Sequence, residues 1–232
     1  MTQLKPSRLA LCSVAAVALL ASGVAPAQTR DHAPVGLGSS AKMSQDKAQS
    51  ESWTYSKPGA DLTKYRSVIV DPTAVYSGPD AQFDGIEPAD RAKYADLVTQ
   101  ALQSEVAKVA PASGHAAAQT MRIRVTLLGA TKTKGGIATA TRATTAGLAL
   151  SAFKSIRGKP GALTGSLLLA VEAVDGASGE VLVAAVRRRN PDALDIPATL
   201  STTDTVKAVA RDFAGNVRER LEKALQPAVP AP

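Results

Sequence analysis

LLLAVEAVDGASGEVLVAAVRRR, residues 167–189, is the stretch that decides the fold. It begins with an apolar run inside the segment Leu163–Val174, and an apolar run of this kind predicts a strand buried on both faces. Residues 175–179 are rich in turn-forming side chains, and Glu180–Arg189 then returns as a second extended segment. The stretch therefore predicts an antiparallel hairpin within a sheet that is covered on both faces.

Upstream of the hairpin, the sequence predicts a strand, a helix and a second strand. Tyr65–Val70 is apolar and β-branched, and it ends at Asp71-Pro72. Pro88 suits the first turn of a helix, whose apolar residues then recur at steps of three and four until shortly before Pro111. Met121–Leu127 alternates apolar with polar side chains, as in a strand. A right-handed crossover would make these two strands parallel.

Downstream, Asp204–Leu225 has the apolar periodicity of a long helix, which Ser201 or Thr203 can cap. A weaker helical pattern covers 145–157. The predicted fold class is α+β: a single mixed sheet of about four strands in the order β-α-β-(α)-β-β-α, with two long helices packed on one face. We expect the weak helix to cover the other face of the sheet, with a partner protein as the alternative.

Four regions are predicted along the chain. Residues 1–27 have the basic start, apolar run and Ala25-Pro26-Ala27 ending of a signal peptide. Residues 28–50 are polar and predict a flexible leader, 51–226 a single α+β domain, and 227–232 a disordered Pro-Ala tail. We therefore expect a periplasmic or secreted protein with no transmembrane span after cleavage; retention of the signal as an N-terminal anchor is the alternative.

The cysteine count bears on anchoring and on redox chemistry. Cys12 lies within the apolar run of the signal, whereas Val24 stands where a lipidated cysteine would be expected after Leu20-Ala-Ser-Gly23. This argues against a lipid anchor. Cleavage would leave a chain without cysteine, which excludes disulfides and thiol chemistry.

Charge is unevenly distributed along the chain. The mature part would carry 25 basic against 20 acidic residues, and no acidic residue occurs from Val106 to Val171. Such a basic stretch could attract an envelope protein with an acidic surface or an anionic membrane surface; the alternative is that it neutralises the acidic segment Asp71–Glu105. Nucleic acid is not expected outside the cytoplasm, and aromatic residues are scarce. The predicted partner-binding residues are Lys132, Lys134, Arg142, Lys154, Arg157 and Lys159.

Catalytic motifs are weak. Ser151-Ala-Phe-Lys154 has the SxxK spacing of serine acyl-enzymes, but Ser44-Gln-Asp-Lys47 matches it as well, and no SDN or KTG element follows. Histidine occurs only at His32 and His115, which argues against a triad or a histidine-based metal site. The loop carboxylates Asp71, Asp84 and Glu87 are better explained as turn and cap residues. We expect no catalytic residue, metal or cofactor.

Three consecutive arginines, Arg187-Arg188-Arg189, close the hairpin. Because side chains alternate along a strand, two of them must share one face. Glu172 on the neighbouring strand is a candidate partner for one arginine. The alternative is a polar strand end that blocks edge pairing.

The chain resembles a family of bacterial envelope proteins of unknown function, usually described as lipoproteins. The resemblance lies in the segments Lys57–Tyr65, Val68–Pro72 and Glu87–Arg91, and the hairpin and the last helix fit it as well. The resemblance covers about residues 52–225. It implies an envelope location and one small α+β domain, and it supplies no active-site residues.

These observations predict a non-enzymatic accessory or interaction module for an anionic partner in the cell envelope. One alternative is a carrier for a small apolar ligand held between the sheet and residues 137–157. The other is a serine hydrolase that uses Ser151 and Lys154.

Overall fold

The computed structural model describes residues 33–47, 52–110, 119–133, 165–192, 195, 198 and 200–226. Their helices are α1 (Pro88–Val106) and α2 (Thr202–Leu225), with one turn of 3₁₀ helix at Ser40–Lys42. Their strands are β1 (Ser44–Gln45), β2 (Trp53–Ser56), β3 (Ser67–Val70), β4 (Ala74–Val75), β5 (Thr120–Thr131), β6 (Ser166–Asp175) and β7 (Val181–Arg189).

The strands form one mixed sheet in the order β1-β2-β7-β6-β5-β3, and β4 pairs with the far end of β5. The predicted hairpin is confirmed, since β6 and β7 are antiparallel neighbours. Gly179 closes its turn at a φ of 72°, where a residue with a Cβ would be strained. β3 and β5 are parallel, as the crossover through α1 predicts.

Both helices pack on the same face of the sheet, as predicted. α1 contributes Val98 and Leu102, and α2 contributes Val206 and Ala214, to a core that is closed to solvent. The Ser201 hydroxyl caps α2 by accepting a hydrogen bond from the backbone N–H of Asp204 at 3.1 Å. Each large side chain buried here contributes about 1.5–3 kcal/mol to the free energy of unfolding.

The opposite face of the sheet is covered by residues from the start of the described chain. Ala33, Leu37 and Met43 pack with Tyr76 against Leu168 and its neighbours on the sheet. Tyr76 donates a hydrogen bond to Asp80 at 2.6 Å and accepts one from the backbone of Gly36 at 2.9 Å, which fixes this cover in place. The predicted cover, a weak helix near 145–157, lies outside the described residues.

The expected number of about four strands is wrong, because the sheet has seven in the described residues. The strands that the sequence did not reveal are β1, β2 and β4, which have two to four residues each. Segments this short show no periodicity of their own, and they become strands by pairing with a long neighbour. β2, for example, runs antiparallel along Val183–Val186 of β7.

Several predictions fall partly or wholly outside the described residues. Residues 33–47 of the predicted leader lie against the sheet, and Ser44–Gln45 pairs with β2. The predicted signal peptide (1–27) and tail (227–232) are not described. Within the described part of the chain, neither helix has the length and apolar character needed to cross a bilayer.

Candidate functional site

A cavity of about 330 Å³ lies between α2 and the β6-β7-β2 part of the sheet. Its position follows from simple dimensions: six strands about 4.8 Å apart span roughly 24 Å, whereas two helices cover about 10 Å each. In the described part of the chain, α1 packs on β3 and β5 and α2 packs on β6, so the strip of sheet at β7 and β2 is less closely covered by these two helices. The cavity runs along this strip, beside α2.

The walls of the cavity are largely apolar. Side chains alternate along a strand, and the register of β6, β7 and β2 brings their helix-facing residues together. The helix supplies residues at steps of three and four from Phe213 onward. The apolar lining comprises Leu62, Met121, Ile123, Leu169, Val171, Ala173, Val183, Ala184, Ala185, Phe213, Val217, Leu221 and Ala224, and the cavity is also lined by Thr54, Tyr55, Ser56 and Asn216.

Three arginines lie at this otherwise apolar site. Arg187 and Arg189 follow Ala185 on the helix-facing side of β7, and Arg220 projects from α2. We call these three residues the arginine cluster. Arg189 and Phe213 also line a polar cleft that continues past the end of β7. The cluster therefore provides three cationic side chains beside an apolar region, and Asp192, Asp212 and Glu219 line the adjoining cleft.

The arginine cluster is only partly neutralised. The Nε atoms of Arg187 and Arg189 are buried and have no hydrogen-bond partner in the described part of the chain. Asp46 lies 3.9 Å from Arg187, at the outer limit of a salt bridge. Burial lowers the pKa of the Arg189 guanidinium, and the positive charges of Arg187 and Arg220 lower it further, against an opposing effect of Asp212. Arg189 is thus a half-buried cation next to two others.

The arginine triplet is divided between the two faces of the sheet, as alternation predicts. Arg188 points away from the cavity and donates hydrogen bonds to the Ser166 hydroxyl, at 3.1 Å, and to the Gln82 side chain. Glu172 was predicted as a partner for one of these arginines, but among the described residues it forms no salt bridge with any of the three. It pairs in register with Ala184 and Arg124, and its Oε1 is buried without a hydrogen-bond partner among the described residues.

The predicted partner-binding residues are only partly visible. Lys132 is exposed, and its side chain lies near Gly85. The other five lie outside the described residues: Lys134, Arg142, Lys154, Arg157 and Lys159. Ser151, Cys12, His32 and His115 lie outside them as well. The predicted basic surface therefore stays a prediction, because five of its six residues lie outside the described part of the chain.

Of the three loop carboxylates, Asp71 is held by arginines, whereas Glu87 lies at the N-cap of α1 without a side-chain capping hydrogen bond. Asp71 accepts a hydrogen bond from Arg122 at 2.7 Å, and Arg124 lies 3.6 Å away. In the described ranges, no three histidine, cysteine or acidic side chains are grouped as metal ligands would be.

Sequence reasoning missed the cavity, because its walls come from segments that are distant along the chain.

The fold and the site together define an α+β domain with a helix-flanked apolar cavity and adjacent arginines. Residues 35–217 match the family model described as "Protein of unknown function (DUF3313)", and the chain belongs to this family. This confirms membership of a family of unknown function. The description carries no lipoprotein label, and no curated protein matches the chain.

Two solved structures are similar in part. One is the PelC dodecamer from Paraburkholderia phytofirmans, 12% identical, and the other is a single-substitution variant of that dodecamer, 13% identical. Each alignment covers 74% of this chain and 97% of the other, with a TM-score of 0.39.

Proposed function

We propose that the protein is a non-enzymatic binding module of the cell envelope that recognises an anionic group at the arginine cluster. The observation that carries this proposal is Arg189, a half-buried cation whose Nε has no partner in the described residues and which adjoins two further arginines. A buried charge is unfavourable unless an opposite charge pairs with it. A bound anion would supply that charge and the missing acceptor.

The residue types at the site support binding rather than catalysis. Arginine keeps its proton at neutral pH and cannot act as a general base, but its planar guanidinium is well suited to carboxylates and phosphates. The remaining walls are mostly apolar, with Thr54, Tyr55, Ser56 and Asn216 as further polar side chains. The proposed envelope location, periplasmic or secreted, rests on the signal-peptide pattern of residues 1–27.

A second candidate function is the carriage of a small apolar ligand. The sequence suggested a ligand between the sheet and residues 137–157, whereas the described cavity lies between the sheet and α2. Its volume falls within the range of small-molecule sites, about 300–1,000 Å³. This candidate shares the same site and differs in the ligand's charge.

Side-chain NMR tests the anion proposal directly. The Nε–Hε signals of the arginines are followed while sodium phosphate replaces sodium chloride at constant ionic strength. We expect saturable shifts for Arg187, Arg189 and Arg220, and none for Arg188, which faces the other side of the sheet and already has partners. Arg189→Met should abolish the shifts of the remaining two. Equal small shifts at every arginine, or none, would contradict the proposal.

A further inference from the structure

We infer that the cavity holds the hydrocarbon chain of a single-chain anionic amphiphile, whose charged head pairs with Arg187, Arg189 and Arg220. This inference rests on the proposed function and adds the ligand class to it. The proposed function requires only an anion at the arginines. The additional claim is that an apolar chain, attached to that anion, lies between β7 and α2.

The shape of the cavity suits an extended chain. The floor on β7 runs from Val183 to Arg189, which corresponds to about 20 Å at the rise of a strand. The wall on α2 runs from Phe213 to Ala224, about 16 Å at the rise of a helix. The site is therefore long relative to its volume of about 330 Å³, as expected for a chain rather than for a compact ring.

The volume limits the ligand to one chain. An apolar protein cavity of about 150 Å³ accommodates benzene, with six carbons. On that scale, a cavity of about 330 Å³ accommodates about a dozen carbons. A diacyl lipid would have to leave most of its hydrocarbon outside.

The distribution of polarity selects the charge of the head. Val171, Ala185 and Val217 offer no polar side-chain atoms to a ligand, whereas the buried Nε atoms of Arg187 and Arg189 still need acceptors. A neutral alcohol would leave the cationic charge uncompensated, and a cationic amphiphile would be repelled. An anionic head compensates the charge of the arginines and supplies acceptors for their Nε–H groups.

Calorimetric titration with soluble amphiphiles below their micelle concentrations tests the inference. The ligands are octanoate, decanoate, dodecanoate and tetradecanoate, with dodecyl phosphate, dodecanol and dodecyltrimethylammonium for comparison. We expect the affinity to rise about fourfold per methylene up to about twelve carbons and then to level off as the cavity fills. Dodecyl phosphate should bind like dodecanoate, and the neutral and cationic compounds at least tenfold more weakly.

Two variants locate the chain. Ala224→Phe places a ring in the cavity from the last turns of α2, and Ala92→Phe adds the same ring at an exposed position of α1. We expect the first to weaken dodecanoate binding at least tenfold and the second to leave it unchanged. Ala185→Phe, on the sheet side, repeats the test if Ala224→Phe lowers the melting temperature.

The outcomes separate the inference from the proposed function. Phosphate shifts at the arginines together with an affinity that is independent of chain length would overturn the inference and leave the anion site standing. Dodecanol that binds as tightly as dodecanoate would overturn the assignment of the head. Binding to phosphatidylglycerol vesicles without any binding of monomeric dodecanoate would also overturn it, because the ligand would then be a membrane surface.

Discussion

Replacement of Arg189 by methionine tests whether the arginine cluster is arranged for a ligand rather than for stability. The guanidinium is half-buried, its Nε has no hydrogen-bond partner in the described ranges, and its neighbours include Arg187 and Arg220. Methionine keeps an unbranched side chain against the sheet and removes the charge. We therefore expect the unliganded protein to become more stable.

The magnitude follows from the partial burial of Arg189. Exchange of fully buried ionic groups for apolar ones often stabilises a protein by about 1–4 kcal/mol. Arg189 retains access to solvent, so we expect the low end, about 1 kcal/mol. For a domain of this size, that corresponds to a rise in melting temperature of about 2–4 °C.

Arg188→Met is the matched control for this substitution. It removes the same charge one residue earlier, but there the guanidinium bonds to Ser166 and Gln82. Loss of these bonds should cost about 1–2 kcal/mol. Urea unfolding of both variants, without added ligand, measures the difference. An Arg189→Met protein that is destabilised as much as Arg188→Met would refute the reasoning.

Four further predictions concern the rest of the molecule. Tyr65→Phe removes the 2.7 Å hydrogen bond to Asp175 and should lower the free energy of unfolding by about 1.5 kcal/mol at neutral pH. The backbone N–H of Ser178 and the hydroxyl of Tyr65 hold the pKa of Asp175 below its usual 3.8; the carboxylate therefore stabilises the fold above about pH 4 and loses this effect as the pH falls further. The urea stabilities of wild type and Tyr65→Phe should thus begin to converge only as the pH falls below about 4, and a difference that stays constant as the pH falls further would contradict this role. Gly129→Ala should lower the free energy of unfolding by about 1–3 kcal/mol, because the new Cβ would lie 2.5 Å from the carbonyl oxygen of Gln82. Thermal unfolding curves of this variant that superpose on those of the wild type would count against this prediction. Charge reversal at the predicted basic surface should weaken sedimentation with phosphatidylglycerol vesicles at low salt by about fivefold or more for each residue, and unchanged sedimentation would remove that surface from the account; the residues are Lys132, Lys134, Arg142, Lys154, Arg157 and Lys159. Mass spectrometry of the protein from the envelope fraction should give a first residue at Gln28, whereas an intact Met1 would favour a retained anchor.

The long elements of the fold were predictable because their periodicity is local. α1, α2 and the hairpin have enough residues for the spacing of apolar side chains to be read directly. β2 was not predictable in this way. Its four residues are extended because β7 offers a free edge, and β7 is more than a hundred positions away in the chain.

The cavity, like β2, depends on contacts between residues that are distant along the chain, and only part of it was predictable from the sequence. Alternation predicts that Arg187 and Arg189 share a face, and the structure confirms it. Which face they share depends on the register of β7 with β6, and their proximity to Arg220 depends on where α2 lies across the sheet. Neither the register of β7 nor the position of α2 across the sheet can be read from a short stretch of sequence.

The measurement that tests the account most directly is an isotope-filtered NOE experiment with carbon-13-labelled dodecanoate. We expect contacts from the chain methylenes to Phe213, Val171 and Val217, and a shift of the Arg189 Nε–Hε signal caused by the carboxylate. Contacts to any other surface, or an Arg189 signal that dodecanoate leaves unchanged, would contradict it.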